Sequence, residues 1–70
     1  MILIVEDDSV IARNLEDGLQ RHGHSTAHCR TGHQALDFMG RESPEVVLLD
    51  ITLPDMTGFE ILERLRRRGD

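Results

Sequence analysis

The sequence predicts an α/β fold, an open parallel sheet built in the order β-α-β-α-β-α. Three observations carry that reading. Ile2-Leu3-Ile4-Val5 and Val46-Val47-Leu48-Leu49 are short continuous aliphatic runs. Both runs stop abruptly at carboxylates, Glu6-Asp7-Asp8 after the first and Asp50 after the second. Segments with helical spacing of apolar residues lie between and after them. An apolar run without polar alternation suits a strand buried on both faces, as in a parallel sheet. Helical crossovers onto such a sheet are right-handed.

The elements follow in order. The first strand is Ile2–Val5. Residues 9–22 read as a helix, because Ile11, Leu15 and Leu19 recur at i, i+4, i+8 while Arg13, Glu16, Asp17 and Gln20 fall off that stripe. Gly23 is placed to stop this helix in left-handed geometry. Residues 25–29 make a weaker, more polar strand suited to a sheet edge. Thr31-Gly32-His33-Gln34 fits a capping box, in which the Thr hydroxyl and the Gln side chain satisfy orphan amides. Ala35, Leu36 and Met39 give the following helix a short apolar face, which residues 40–44 interrupt. Val46–Leu49 is the second strongly buried strand. A loop through Pro54-Asp55-Met56 leads to a second capping box, Thr57-Gly58-Phe59-Glu60. Ile61, Leu62 and Leu65 then form a buried face. Glu60 with Arg64 and Glu63 with Arg67 are i, i+4 pairs in the favourable order. Arg66, Arg67 and Arg68 end the helix where its dipole is negative.

Composition narrows the function classes. The 70 residues carry 13 acidic and 8 basic side chains, a formal net charge of −5. All of the basic residues are arginine. Such an acidic chain does not read as a direct nucleic-acid binder, which needs a basic face. A single cysteine, Cys29, excludes an internal disulfide framework. The apolar opening, residues 1–5, is too short for a signal-peptide core. No apolar run approaches the roughly 20 residues that span a bilayer. There is no repeat, low-complexity tract or linker, so the chain reads as one small cytoplasmic domain. A chain of about 60 residues buries only about 60% of its unfolded surface, so stability is expected to be marginal.

The acidic strand ends are the chemical signal. If the two aliphatic strands are parallel neighbours, three or four of the carboxylates of Glu6, Asp7, Asp8 and Asp50 converge at one sheet edge, where open α/β sheets bind ligands. Crowded like charges are unfavourable without a cation. Mg²⁺ suits a site of one or two carboxylates, a carbonyl, waters and a phosphate oxygen.

The first strand with Glu6-Asp7-Asp8, together with Val46-Val47-Leu48-Leu49-Asp50-Ile51-Thr52-Leu53-Pro54-Asp55-Met56-Thr57-Gly58, resembles the receiver domain of bacterial two-component response regulators. Gly18-Leu19 followed by Gly23-His24 is similar to the OmpR/PhoB type, which couples a receiver to a winged-helix DNA-binding output domain. The resemblance implies a flavodoxin-like (CheY-like) sheet. It implies that Asp50 is the phosphoacceptor for a sensor histidine kinase, and that Mg²⁺ is the cofactor. Asp7 would bind the ion directly, Glu6 through a water, and Thr52 through its backbone carbonyl. Pro54 and Gly58 would shape the loop after the site. Asp8 is expected to cap the first helix.

Receivers of that family carry two further β-α units, within the ordinary domain range of about 100–150 residues. Residues 1–70 are therefore expected to be the N-terminal part of a single receiver domain, without the family's switch Ser or Thr and phosphate-binding Lys. The arginine run does not replace that lysine, because it lies about ten residues, or roughly 15 Å, along the last helix from its capping end. The Val46–Leu49 edge is then open and apolar, and such an edge recruits another chain, a homo-oligomer included. The alternative reading is a phosphorylation-incompetent half-receiver that serves as an interaction module. An aspartate-nucleophile phosphohydrolase is disfavoured by Thr52, where those families generally carry a second Asp. His22, His24, His28 and His33 read as surface residues, since they lack closed tetrahedral metal spacing. Cys29 reads as a small, half-buried strand residue, and Met39 and Met56 read as packing residues.

Overall fold

The computed structural model describes residues 1–69. The elements run β1 (Ile2–Val5), α1 (Ser9–Arg21), β2 (Thr26–Cys29), α2 (Gly32–Arg41), β3 (Val46–Leu49) and α3 (Gly58–Arg67). The sheet order is β2-β1-β3. Both pairings are parallel, with Val5 opposite Cys29 on one side and Leu49 on the other. The aliphatic run of β1 is thus the central strand, flanked on both sides. Leu3, Ile4 and Val5 are completely buried. The predicted open parallel sheet with β-α-β-α-β-α order is the observed architecture.

Strand alternation divides the core between two faces. Leu3, Val5 and Cys29 pack with Ala35 and Leu36 of α2, Leu53 and Met56 of the following loop, and Ile61 of α3. Ile4 points to the opposite face, where α1 lies against β1 and β2. Ala12 is the buried residue of α1. Its small side chain allows close approach of helix to sheet. Among the described residues, no helix is long and apolar enough to cross a membrane.

The helix ends follow the residues that cap them. Asp8 Oδ1 accepts the amides of Val10 at 2.9 Å and Ile11 at 3.2 Å, as expected of an N-cap. Gly23 adopts φ +86°, ending α1 in the left-handed region. Thr31 accepts the Gln34 amide at 3.1 Å, but Gln34 Oε1 reaches back to the amide of Arg30 at 2.8 Å, one residue before the cap. Thr57 accepts the Glu60 amide at 3.1 Å. Glu63 and Arg67 close their expected pair at 2.8 Å, whereas Glu60 and Arg64 do not pair.

Four expectations about burial need correction. In α1 the sheet-facing line runs through Ala12, leaving Ile11 48% and Leu15 37% exposed. The helix sits over β1 and β2, and Leu15 borders an open groove with Leu48 and Leu49 of β3. Val46–Leu49 is only partly buried, with Val46 at 46% exposure, because among the described residues β3 has a ladder partner on one side alone. In α3, Ile61 takes the fully buried position while Leu62 stands 54% exposed. Leu62 and Phe59 stand on the other face of the sheet and line an apolar cavity of about 400 Å³ with Val47, Leu49 and Leu65. Cys29, expected to be half-buried, is fully buried in the core.

Candidate metal centre

Because β1 and β3 are adjacent and parallel, their carboxyl ends share one edge of the sheet. The ladder continues just past both strands. Glu6 donates its amide to Cys29 O at 3.0 Å, and Asp50 donates its amide to Val5 O at 3.0 Å. These bonds hold Glu6 and Asp50 at matching heights. One carboxylate oxygen from each of Glu6, Asp7 and Asp50 then lies within 4.8 Å of the others. Glu6 and Asp50 are half-buried and Asp7 is exposed.

The electrostatics match the geometry. Burial raises the Glu6 carboxyl above its ordinary range, and hydrogen bonding and charge repulsion from Asp50 push it the same way. The charge of Asp7 adds to the rise, while the Asp8 amide opposes it. Protonating one member of such a group lowers its repulsion, and so does a cation. The donors are all hard oxygen atoms at a sheet edge, which fits a magnesium-type ion rather than a nitrogen- or sulfur-preferring metal.

The remaining predicted positions fall as follows. Thr52 meets Asp50 through its amide, which donates to Asp50 Oδ1 at 3.2 Å. Asp8 turns away to cap α1. Gly58 packs on the backbone beneath Asp50. Its amide donates to Ile51 O at 2.8 Å, and a Cβ placed there would stand 2.9 Å from Asp50 O. A side chain at position 58 would therefore push on the residue that carries the carboxylate.

Two groups of residues at this edge escape a linear reading. Asp55 accepts the amides of Gly32 at 2.8 Å and His33 at 2.9 Å, and also bonds the His33 ring. The loop after β3 is thereby fastened to the start of α2. Burial raises the Asp55 carboxyl, but the three hydrogen bonds from Gly32 and His33 outweigh it and bring it down to about 2. His28 and Arg30 bond to the backbone of the acidic turn. These partners lie 22 or 23 residues apart in sequence. No local spacing announces them. The signal is the strand order, which sets the end of β2 beside the end of β1. The histidines serve separate places: His22 bonds Gly18 O at 2.9 Å, His28 the acidic turn and His33 Asp55.

Comparison with known proteins agrees with this arrangement. Residues 2–70 match the response regulator receiver domain family. The chain belongs to that family. This receiver sequence is 38% identical over 66 residues to the transcriptional regulatory protein AfsQ1 of Streptomyces coelicolor, covering 94% of the chain and 29% of AfsQ1. It is 42% identical over 65 residues to sporulation initiation phosphotransferase F of Bacillus subtilis, covering 93% of the chain and 52% of that protein. The receiver domain of a Francisella response regulator superposes with a TM-score of 0.93 at 25% identity, over 97% of this chain and 56% of that one. The chain thus spans about half or less of the length of these relatives.

Proposed function

We propose that this receiver accepts a phosphoryl group on Asp50 from a phosphohistidine of a sensor histidine kinase. The observation that carries the reading is the convergence of the Glu6, Asp7 and Asp50 carboxylates within 4.8 Å at the carboxyl edge of the sheet. The name of the Bacillus subtilis relative, a phosphotransferase, supports the same chemistry. An oxygen of the Asp50 carboxylate attacks phosphorus in line. The oxygen–phosphorus bond forms as the nitrogen–phosphorus bond of the donor breaks. The departing imidazole nitrogen keeps the bonding pair and is protonated. Little covalent chemistry is asked of the protein, so positioning and charge neutralisation carry the reaction.

Asp7 and Asp50 would hold Mg²⁺ with the Thr52 carbonyl, and Glu6 would hold it through a water. The bound ion would neutralise charge on the transferring phosphoryl group and on the crowded carboxylates. The chain's own residues orient the acceptor. The Thr52 amide on Asp50 Oδ1 restrains the carboxylate, and Gly58 leaves room for the Asp50 backbone. Residues 1–70 are read as the N-terminal part of one receiver domain. The phosphorylated state would regulate an output domain, of the winged-helix DNA-binding kind suggested by similarity to AfsQ1, a transcriptional regulatory protein by name. A cytoplasmic setting follows from that role.

The open edge of β3 favours a second reading, an interaction module without phosphotransfer. Val46 of β3 is exposed, and so are Phe59 and Leu62 of α3, which border β3 at Val47 and Leu49. A second copy pairing along Val46–Leu49 would satisfy the free backbone groups of the edge. Incubation with acetyl phosphate and Mg²⁺ separates the two readings. Phosphorylation that disappears in Asp50→Asn supports the phosphoacceptor. A wild-type chain that takes no phosphoryl group supports the interaction module.

A further inference from the structure

The geometry points to His28 and Arg30 as positioning residues that fix the acidic turn through its backbone. The inference rests on the reading of Glu6, Asp7 and Asp50 as a Mg²⁺ site. His28 Nε2 lies 2.7 Å from Glu6 O, and Arg30 Nη2 donates to Asp7 O at 3.1 Å. Arg30 Nη1 also donates to Ser9 Oγ at 2.6 Å. Two side chains from the end of β2 and the residue after it thus hold two successive carbonyls of the turn and the first residue of α1. A carbonyl only accepts, so His28 must carry its proton on Nε2. That bond is available to the neutral ring and needs no charge.

Parallel pairing explains why Glu6 needs this partner. Both backbone groups of a residue in a parallel strand face the same neighbour, and Glu6 faces β2 through its bond to Cys29 O. The next ladder donor to Glu6 O would be the amide of Thr31. Thr31 is the N-cap of α2, where the chain has turned away. The His28 ring takes the place of that missing donor. Because β1 lies between β2 and β3, the carbonyls of Glu6 and Asp7 are drawn toward β2, while the carboxylates meet Asp50 beyond β3. The clamp fixes the peptide planes from which both carboxylates project. Partners of this kind, one shell behind metal ligands, commonly change affinity by about 10–100-fold when removed.

The test uses the whole chain and three readouts: Mg²⁺ binding by calorimetry, amide hydrogen exchange of residues 6–8 without metal, and denaturant unfolding. His28→Phe keeps a flat ring without the donor, and His28→Gln restores an N–H donor at the position of Nε2. Arg30→Ala removes the second hold. We expect His28→Phe and Arg30→Ala each to weaken Mg²⁺ binding by about tenfold or more and to speed exchange in the turn. His28→Gln should recover most of the affinity. Unfolding midpoints that fall equally for His28→Phe and His28→Gln, with affinity following stability instead of the donor, would overturn the clamp. So would Mg²⁺ affinity and exchange in His28→Phe within twofold of the parent. A parent chain that binds no Mg²⁺ overturns the site itself, which distinguishes that failure from failure of the clamp.

Discussion

Gly58 sits so close to Asp50 that a Cβ on it would stand 2.9 Å from the Asp50 carbonyl oxygen and 3.3 Å from Ile51 Cα. The obstacle is backbone, which cannot swing aside as a flexible side chain can. The start of α3 and the proposed acceptor are therefore one packed unit. Gly58→Ala should destabilise the chain by about 1–3 kcal/mol, the usual cost of overpacking. It should also slow phosphorylation, because Asp50 must shift. Urea unfolding and acetyl phosphate labelling check both effects. Parent-like stability together with parent-like labelling would show that the contact relaxes without moving Asp50.

Mg²⁺ should stabilise the chain through the carboxylate cluster. Glu6 has a folded-state pKa raised above its usual 4.5. A raised carboxyl favours folding below that value and loses its contribution as pH rises through the shifted pKa. The metal-free chain should therefore weaken as pH climbs above about 4.5, and millimolar Mg²⁺ should restore stability at neutral pH. Thermal unfolding with and without Mg²⁺ reads this directly. In Asp50→Asn the metal-free chain should be at least as stable as the parent, and the Mg²⁺ effect should shrink. An equal Mg²⁺ effect in both chains would place the ion elsewhere.

Asp55 makes the opposite contribution. Its pKa is lowered to about 2 from a usual 3.8. The stabilisation is fully present above about pH 4 and is lost as pH falls toward 2. Asp55→Ala should cost about 1 kcal/mol at neutral pH, as removal of a helix cap does. It should also flatten the acid limb of the stability profile between about pH 4 and 2. An acid limb unchanged in Asp55→Ala would mean that another carboxylate governs it.

The β3 flank should associate. Phe59 is 69% and Leu62 54% exposed beside a strand edge that is unpaired among the described residues. Sedimentation should show mass rising with concentration, and Val46→Lys with Leu62→Glu should return the chain to monomer. A parent that stays monomeric at high concentration would refute the edge as a self-pairing surface.

Much of the fold was legible because it is written in local sequence. The aliphatic runs of β1 and β3, the Asp8, Thr31 and Thr57 caps, and Gly23 each declare a boundary within a few residues. The candidate site was legible for a related reason. Glu6, Asp7 and Asp50 follow directly from their strands, so strand adjacency alone brings them together. What stayed hidden depends on what lies across from a residue. Ile11, Leu15 and Leu62 have the periodicity of buried positions, yet each is exposed, with no element among the described residues packed over it. The bonds of Asp55 to α2, and of His28 and Arg30 to the acidic turn, join segments more than 20 residues apart. Neither hydrophobic period nor motif spacing encodes such contacts.

The most direct measurement is chemical trapping of the acceptor. The chain would be incubated with acetyl phosphate and Mg²⁺, reduced with borohydride and digested, and the peptide containing residue 50 sequenced by mass spectrometry. An acyl phosphate on Asp50 is reduced to homoserine, so homoserine at position 50 is the expected result, absent when Mg²⁺ is omitted and absent in Asp50→Asn. Phosphorylation trapped at another carboxylate, or no trapped product in the parent chain under the same conditions, would contradict the assignment of Asp50 as phosphoacceptor.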